Sequence, residues 1–209
     1  LVLPVLVVDH DDGFAGRDVG DRPFDGVESG ARLGGGGLLA GIAAAVKARR
    51  PDVRIIGVQA AQAAAWPKSL QEDMPIAATH MSTMADGIAV ALPGDVPFAH
   101  VRELVDEVVT VDEAQLATAL LLLLERAKLL VEPAGAAGVA ALMSLDLDLP
   151  GPICVVTSGG NIDPLVLSHV TTAGLTASGR FLTVTATIPD RPGGLISLLE
   201  LLREQGASV

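Results

Sequence analysis

The chain has 209 residues, of which 50% are hydrophobic and 19% charged, and its formal net charge is −11. The apolar content excludes a disordered chain, and the acidic balance argues against nucleic acid or an anionic membrane as a partner, because both bind basic surfaces. A single cysteine excludes a disulfide framework and predicts a cytoplasmic location, while abundant Gly and Ala with only 2% aromatic residues predict closely packed α/β layers.

Residues 1–31 differ from the rest of the chain. Seven acidic residues and two arginines give this segment a charge of −5. After the apolar run Leu1–Val8, five glycines interrupt it, and it has neither helical nor strand periodicity. We therefore expect an irregular segment. No uncharged apolar stretch approaches the roughly 20 residues that a membrane-spanning helix needs.

From residue 32 onward, β-branched runs that predict strands alternate with Ala- and Leu-rich stretches that predict helices. Asp112, with Gln115 three residues later, predicts a capping box at the start of a long helix. The alternation predicts a mostly parallel sheet with helices on both faces, over residues 32–175. Predicted strands are Val53–Val58, Val108–Val111 and Ile153–Thr157; predicted helices are 38–49, 113–130, Pro133–Leu145 and one beginning at Asp163-Pro164.

A second domain is predicted to begin near the end of the chain. The Thr/Ser/Gly/Ala stretch Thr171–Gly179 reads as a boundary, and Phe181–Ile188 alternates as a half-exposed strand does. A turn over 190–194 then leads into an amphipathic helix that Gly206 ends. One strand and one helix cannot bury a core, so we expect residues 181–209 to be the start of a truncated domain.

Four consecutive glycines, Gly34–Gly37, precede the first predicted helix. Their backbone N–H groups lie at the positive end of the helix dipole with no Cβ in the way, which favours phosphate binding over a merely flexible turn. A P-loop is excluded because no Gly-Lys-Ser/Thr follows. Gly35, Gly37 and Ala40 fit a loose dinucleotide fingerprint, but the next strand ends in Gln59 rather than in an acid.

The turn Ser158-Gly159-Gly160-Asn161 follows a predicted apolar strand and so lies at the carboxyl edge of the sheet, where open α/β folds bind ligands. The Ser158 hydroxyl can hydrogen-bond a ring nitrogen, although such a sequence is often only a turn. Asp86-Gly87 and Glu132-Pro133 could also face a site, but turn and helix-end roles suffice for both.

Other reactive side chains carry weaker signals. The four histidines have no metal-ligand spacing, and Cys154 is interpreted as a buried small hydrophobe in its strand. None of Lys47, Lys68 and Lys128 lies in an apolar stretch that would lower its pKa enough to make it a nucleophile.

A series of motifs in fixed order closely resembles the threonine ammonia-lyases (threonine dehydratases), pyridoxal-phosphate enzymes of the tryptophan-synthase-β-like fold. The resemblance covers roughly residues 33–179, and 181–209 resemble the first strand, loop and helix of an ACT-type regulatory domain. The motifs are Gly34-Gly35-Gly36-Gly37-Leu38, Val53–Gln59, Met84–Val90, Leu124–Lys128, Glu132–Ala137, Ser158–Asp163 and, for the regulatory domain, Asp190–Gly194.

The resemblance implies pyridoxal 5′-phosphate as the cofactor. Gly34, Gly35, Gly36 and Gly37 would hold its phosphate through backbone N–H groups, and Ser158 would hydrogen-bond its pyridine nitrogen. A neutral hydroxyl leaves that nitrogen largely unprotonated, which limits the electron sink and favours loss of the β-hydroxyl. The family converts L-threonine into 2-oxobutyrate and ammonia, in isoleucine biosynthesis or threonine catabolism.

Departures from the family pattern are equally informative. The family's Schiff-base lysine motif and its substrate loop lie upstream of the glycine loop and do not occur in this chain, so we expect it to be an inactive fragment. Residues 1–31 match poorly, as a truncated or misread segment would. Relatives that bind a divalent ion use acids where this chain has Gln59 and Ala65, so we expect no metal.

Two alternatives stay open: a non-catalytic module that binds a phosphate or an amino acid, and, with less support, a nicotinamide-dependent dehydrogenase. The resemblance further implies L-threonine or L-serine as substrate, an amino-acid effector at the ACT-like segment, and a homo-oligomer in the intact protein. Composition argues against nucleic-acid and membrane partners.

Overall fold

The computed structural model describes residues 5–8, 35–147, 149, 151–188 and 190–206. Gly34 and most of the segment expected to be irregular therefore lie outside the described residues. Within residues 1–31 the structure describes one strand, Val5–Val8. That strand lies in the apolar run that the sequence shows at the start of the chain.

One or two helices separate successive strands along the described chain, and two helices follow the last strand. Between them lie single 3-10 turns at Ala61–Ala63 and Asp86–Ile88. The strands are β1 (Val5–Val8), β2 (Arg54–Ala60), β3 (Glu107–Val111) and β4 (Ile153–Val156), and the helices are α1 (Gly37–Lys47), α2 (Trp66–Gln71), α3 (Asp95–Leu104), α4 (Glu113–Leu122), α5 (Pro133–Ser144), α6 (Pro164–Ala177) and α7 (Gly194–Glu204).

The described strands form one sheet in the order β3-β2-β1-β4. β2 and β3 pair in parallel, from Ile56 opposite Glu107 to Ala60 opposite Val111. β1 is antiparallel to both β2 and β4. Three of the four strands thus run in one direction and end at the same edge, as the predicted mostly parallel sheet requires. The insertion of β1 between β2 and β4 was not predicted.

Helices cover both faces of this sheet. On β2, Ile55 packs with Leu39, Trp66, Phe98 and Val101 from the α1–α3 side. Val58 and Ala60, which point to the opposite face, pack with α4, α5 and α6. The α/β prediction with two covered faces is therefore confirmed. Ala and Gly dominate α5, whose buried residues let it lie close to its neighbours.

The predicted helix starts are confirmed at the level of individual hydrogen bonds. The Asp112 carboxylate accepts from the Gln115 backbone N–H at 2.8 Å, and the Gln115 side chain accepts from the Asp112 N–H at 2.8 Å. Asp163 accepts from the Leu165 N–H at 2.7 Å, with Pro164 as the first helical residue. These caps satisfy donors that the first turn leaves without intrahelical partners.

The long helix after Asp112 ends earlier than predicted. α4 stops at Leu122 and continues as a π-turn, Leu123–Ala127, and the chain then leaves at Lys128 with φ 58°. The expected end at Leu130 was wrong because periodicity reports an apolar face but not a local widening of the helix. Arg180 ties this turn to the chain beyond α6, since its guanidinium donates to both Glu125 oxygens at 2.7 and 2.9 Å.

Two predictions in the last third of the chain were wrong. Cys154 is exposed, and so is Ile153 on the opposite face, because the start of β4 is not covered on either face. Phe181–Ile188 forms no strand, and Leu182 is 79% exposed. An alternating segment becomes a strand only when a ladder partner is present.

Two other segments of this region were assigned from the sequence, a boundary stretch and a final helix that a glycine ends. The stretch Thr171–Gly179 is helical as far as Ala177. α7 forms as predicted, and Gly206 follows it with φ 72°, the left-handed conformation of a helix stop. Within the described ranges, no helix combines the length and apolar character needed to cross a membrane.

Gly174 should be the position where the helix layer is least tolerant. A Cβ atom there would lie 2.6 Å from the carbonyl oxygen of Ala117 and 3.0 Å from Leu121 Cβ. We expect Gly174→Ala to lower the free energy of unfolding by about 1–3 kcal/mol through overpacking. Urea unfolding followed by circular dichroism measures this.

Gly41→Ala is the matched control, because a Cβ atom on that glycine of α1 would meet nothing within 4 Å. Helix propensity alone then raises the unfolding free energy by about 0.5–1 kcal/mol. Equal effects of the two substitutions would contradict the close approach of α6 to α4.

Candidate functional site

The described part of the glycine loop lies at the carboxyl edge of the sheet. α1 begins at Gly37 and leads back to the start of β2, so its first turn lies at the edge where β2 ends. Gly36 precedes α1 with φ 99°, and a Cβ atom on it would overlap the Trp66 ring. Only glycine combines this conformation with this contact.

Neighbouring backbone holds the loop in place. The Gly35 carbonyl accepts from the Gly94 N–H at 3.2 Å, and a Cβ atom on Gly35 would overlap that same nitrogen. The Trp66 ring stacks on Phe98 of α3, with ring centroids 6.0 Å apart. The first turn of α1 has no acidic residue and no side-chain cap. Its N–H groups and the positive end of its dipole are therefore available to an anion.

Ser158 lies at the same edge, two residues after β4. Its hydroxyl oxygen is buried and has no hydrogen-bond partner among the residues that the structure describes. Gly159 follows with φ 86°. A Cβ atom on Gly135 of α5 would overlap the Ser158 carbonyl oxygen, so the turn packs directly on the helix backbone. A buried hydroxyl without a hydrogen-bond partner lowers the stability of the fold unless a ligand supplies that partner.

Glu132 occupies the space between this turn and the 86–88 turn. Its backbone N–H donates to the Gly159 carbonyl at 2.9 Å. Its Oε1 lies where a Cβ atom on Gly159 would be, and 3.2 Å from a Cβ atom placed on Gly87. Burial raises the pKa of the Glu132 carboxyl, and the Asp86 carboxylate raises that pKa further.

From the sequence, Glu132 could face a site, but a helix-end role sufficed to explain it. It does precede α5, yet its side chain makes no capping hydrogen bond. The signal available in the sequence was that acids and glycines occur together in three separate motifs, those that contain Asp86-Gly87, Gly135 and Gly159. Sequence spacing alone does not reveal that these glycines meet around one side chain.

The structure brings some of the predicted site residues to one edge and leaves others elsewhere. Gly35, Gly36 and Gly37 share the carboxyl edge with Ser158, although no hydrogen bond joins the two groups within the described chain. Gly34 lies outside the described residues. A cavity of about 200 Å³ lies beside α2, between residues 61–68 and 76–80, and contains none of them.

Gln59 and Ala65, for which the resemblance led us to expect no metal, are both buried. Gln59 is buried, and its Oε1 accepts from the Trp66 N–H at 3.1 Å, which fixes the start of α2. Ala65 is buried beside it. The part of the chain that the structure describes contains no group of three His, Cys, Asp or Glu residues arranged to hold a metal ion.

Two of the three lysines are engaged in polar contacts, and the third is exposed. Lys47 Nζ contacts both Asp106 oxygens, at 2.9 and 3.1 Å. Lys128 Nζ donates to the Glu125 carbonyl at 2.8 Å, and Lys68 is exposed on α2. None of them lies in a desolvated pocket of the kind that activates a lysine.

Comparison with known proteins decides the family. The sequence profile of the family described as "Pyridoxal-phosphate dependent enzyme" matches residues 31–159. The chain belongs to this family. That match contains Gly34–Gly37 and Ser158, and it confirms the resemblance drawn from the motif series.

Two similar proteins and one solved structure carry names that specify an activity. L-threonine ammonia-lyase of Geobacter sulfurreducens is 47% identical over 178 residues, 85% of this chain and 44% of the relative. The Thermotoga maritima protein of the same name is 43% identical over 178 residues, again 85% of this chain and 44% of the relative. The solved structure of processed threonine deaminase isoform 2 from Solanum lycopersicum is 33% identical, with a TM-score of 0.62 over 68% of this chain and 42% of that one.

This chain therefore spans less than half the length of these relatives. The family match ends at residue 159, so it does not reach 181–209. The ACT-like segment stays a prediction.

The raised pKa of Glu132 has a consequence for stability. An acid whose pKa is higher in the folded state favours folding below its unfolded-state pKa, and this contribution is lost as the pH rises through the folded-state value. We therefore expect Glu132→Gln to stabilise the ligand-free chain at pH 7, with the advantage shrinking as the pH falls through the raised folded-state pKa of Glu132 and vanishing below about 4.5, the ordinary value of this carboxyl. Melting temperatures across a pH series measure it.

Glu103→Gln serves as the control, since Glu103 is exposed on α3. An advantage of Glu132→Gln that is independent of pH would contradict the desolvation of this carboxyl.

Proposed function

We propose that this chain is the cofactor-holding part of a pyridoxal-phosphate-dependent L-threonine ammonia-lyase. One observation carries the proposal furthest: the buried, unpartnered Ser158 hydroxyl at the sheet edge that also presents the glycine loop. The names of two similar relatives support the choice of reaction.

The residues present fit the cofactor in two places. Side chains on Gly35 and Gly36 would collide with Gly94 and Trp66, so glycine keeps the loop in this conformation, in which a phosphate would accept from the N–H groups of the loop and of the first turn of α1. Gly34 and Gly37 complete the proposed cradle. At the other end, the orphaned Ser158 hydroxyl would meet the pyridine nitrogen.

When bound, pyridoxal phosphate supplies a ring that withdraws electrons from the substrate's Cα and stabilises the charge that develops there. The protein's part is to set how strongly the ring withdraws them. Ser158 presents a neutral hydroxyl, so it stabilises the unprotonated pyridine nitrogen. This limits charge delocalisation and favours departure of the β-hydroxyl over reactions that need a longer-lived carbanion.

L-threonine is the proposed substrate, with L-serine as the runner-up, and the product from threonine is 2-oxobutyrate with ammonia. The pathway, isoleucine biosynthesis or threonine catabolism, belongs to the proposal, as do a cytoplasmic location and a homo-oligomeric assembly. We also propose two units, residues 32–175 for the cofactor and 181–209 as an ACT-like beginning. The exposed Leu195, Ile196 and Leu199 of α7 support this division, because an amphipathic helix needs a core to cover it.

A non-catalytic phosphate-binding module is the second candidate, and the lysine contacts favour it for this chain taken alone. With Lys47 and Lys128 engaged and Lys68 exposed, no described lysine is placed to move a proton at Cα. We therefore expect the purified chain, supplied with pyridoxal phosphate and L-threonine, to form no 2-oxobutyrate above the cofactor-only background.

A coupled lactate-dehydrogenase assay measures 2-oxobutyrate directly. Steady production would overturn the expected inactivity. Borohydride trapping separates the two candidates further: a stoichiometric adduct at one lysine indicates an active site, whereas saturable binding without an adduct indicates a module.

Ser158→Ala tests the proposed ring contact without interference from lysine chemistry. We expect about tenfold weaker binding of 4-deoxypyridoxine 5′-phosphate, which lacks the aldehyde, because one hydrogen bond is lost. The ligand-free variant should unfold at no lower urea concentration, since it removes an unsatisfied buried hydroxyl. Isothermal titration calorimetry gives the affinities.

Ser197→Ala is the matched control, because Ser197 is exposed on α7. Unchanged affinity in Ser158→Ala would remove Ser158 from the site. Absence of binding by the unmodified chain would remove the cofactor-holding role itself.

A further inference from the structure

Glu132 is a half-buried carboxyl without an evident structural task. It precedes α5 but makes no side-chain capping bond, and within the described chain it forms no ion pair. Ser, Thr, Asp or Asn would cap the helix better, and burying a carboxyl without a partner costs stability. The side chain therefore opposes folding at a position where smaller residues would favour it.

Its surroundings are built from glycines. Oε1 lies against Gly159 on one side and 3.2 Å from a Cβ atom placed on Gly87 on the other. A Cβ atom on Gly87 would also lie 3.0 Å from Ala134 Cβ. The carboxyl thus lies between two turns: a Cβ atom on Gly159 would displace it, and one on Gly87 would crowd it.

The same side chain is coupled to the orphaned hydroxyl. Glu132 holds the Gly159 carbonyl with its own N–H at 2.9 Å, and Gly135, three residues on, packs against the Ser158 carbonyl oxygen. Ser158 and Gly159 are consecutive, so displacement of the Glu132 carboxyl changes the turn that carries the Ser158 hydroxyl. Because the Glu132 carboxyl packs against Gly159, it restricts the backbone rotation that would turn the Ser158 hydroxyl away from the proposed site.

We propose that Glu132 is a positioning residue for the proposed cofactor site, holding the Ser158-Gly159 turn so that the Ser158 hydroxyl faces the pyridine nitrogen. This inference rests on the function proposed above. Glu132 acts through Ser158 and contributes nothing to the phosphate cradle at the start of α1. Its effect is therefore confined to ligands that carry a ring nitrogen.

The experiment compares two phosphate esters that differ in one atom. The first is 4-deoxypyridoxine 5′-phosphate, and the second is its benzene analogue with carbon in place of the ring nitrogen. Calorimetric affinities of the full chain for both give a nitrogen preference. We expect the unmodified chain to prefer the pyridine by about tenfold, the effect of one hydrogen bond.

Glu132→Ala and Glu132→Asp should reduce this preference by about three- to tenfold, because neither side chain reaches both turns. Glu132→Gln, which has the same length, should keep the preference within about twofold. Affinity for inorganic phosphate should stay unchanged in all three variants, and urea unfolding confirms that each is folded. The Asp variant keeps the test available if the Ala variant fails to fold.

The outcomes separate the two proposals. No nitrogen preference in the unmodified chain, or none of the expected binding, contradicts the proposed function. A preference that Ser158→Ala abolishes but that Glu132→Ala and Glu132→Asp leave intact overturns the positioning role alone. Loss of the preference in Glu132→Gln as well would show that the charge of the carboxyl, not its reach, is required, and would also overturn it.

Discussion

The whole sheet edge depends on one steric constraint, the close approach of backbone to backbone where a Cβ atom is absent. Gly35 lies against Gly94, Gly135 against the Ser158 carbonyl, and Gly174 against the Ala117 carbonyl. Each contact joins segments far apart in the sequence. A methyl group at any of them would separate two elements, and because interiors are close-packed, the shift would be transmitted to the loops that they support. The high Gly and Ala content of the sequence is a consequence of these close approaches.

Local signals in the sequence predicted the elements that depend on neighbours along the chain. The capping box at Asp112 and the Asp163-Pro164 helix start are defined within three residues, so sequence alone suffices for them. Burial of Cys154 depends on what covers its strand and pairing of Phe181–Ile188 on which strand lies alongside, and no local pattern contains that information. The antiparallel insertion of β1 belongs to the same class. Fold class followed from alternation, whereas strand neighbours did not.

The residues of the candidate site show the same difference between local signals and contacts that the fold creates. The glycine loop and Ser158 were predicted because each carries its own chemistry within a few consecutive residues. Glu132 was considered as a residue that could face a site, but a helix-end role sufficed to explain it, because the contacts that distinguish it are with Gly87 and Gly159, which lie 45 residues before it and 27 after it. Its raised pKa, caused by burial and by Asp86, is likewise a property of assembled loops. Residues that act through others are visible only once the fold brings their partners together.

In the proposed site, dipoles rather than charges meet the cofactor. The phosphate would face backbone N–H groups of a helix start that has no acidic residue in its first turn, and the ring nitrogen would face a hydroxyl. Fixed dipoles hold their orientation without rearrangement and are screened less than surface charges. Such an arrangement requires turns of fixed geometry. Glycines that permit close approach fix these turns, and so does a carboxyl that packs between two of the glycines.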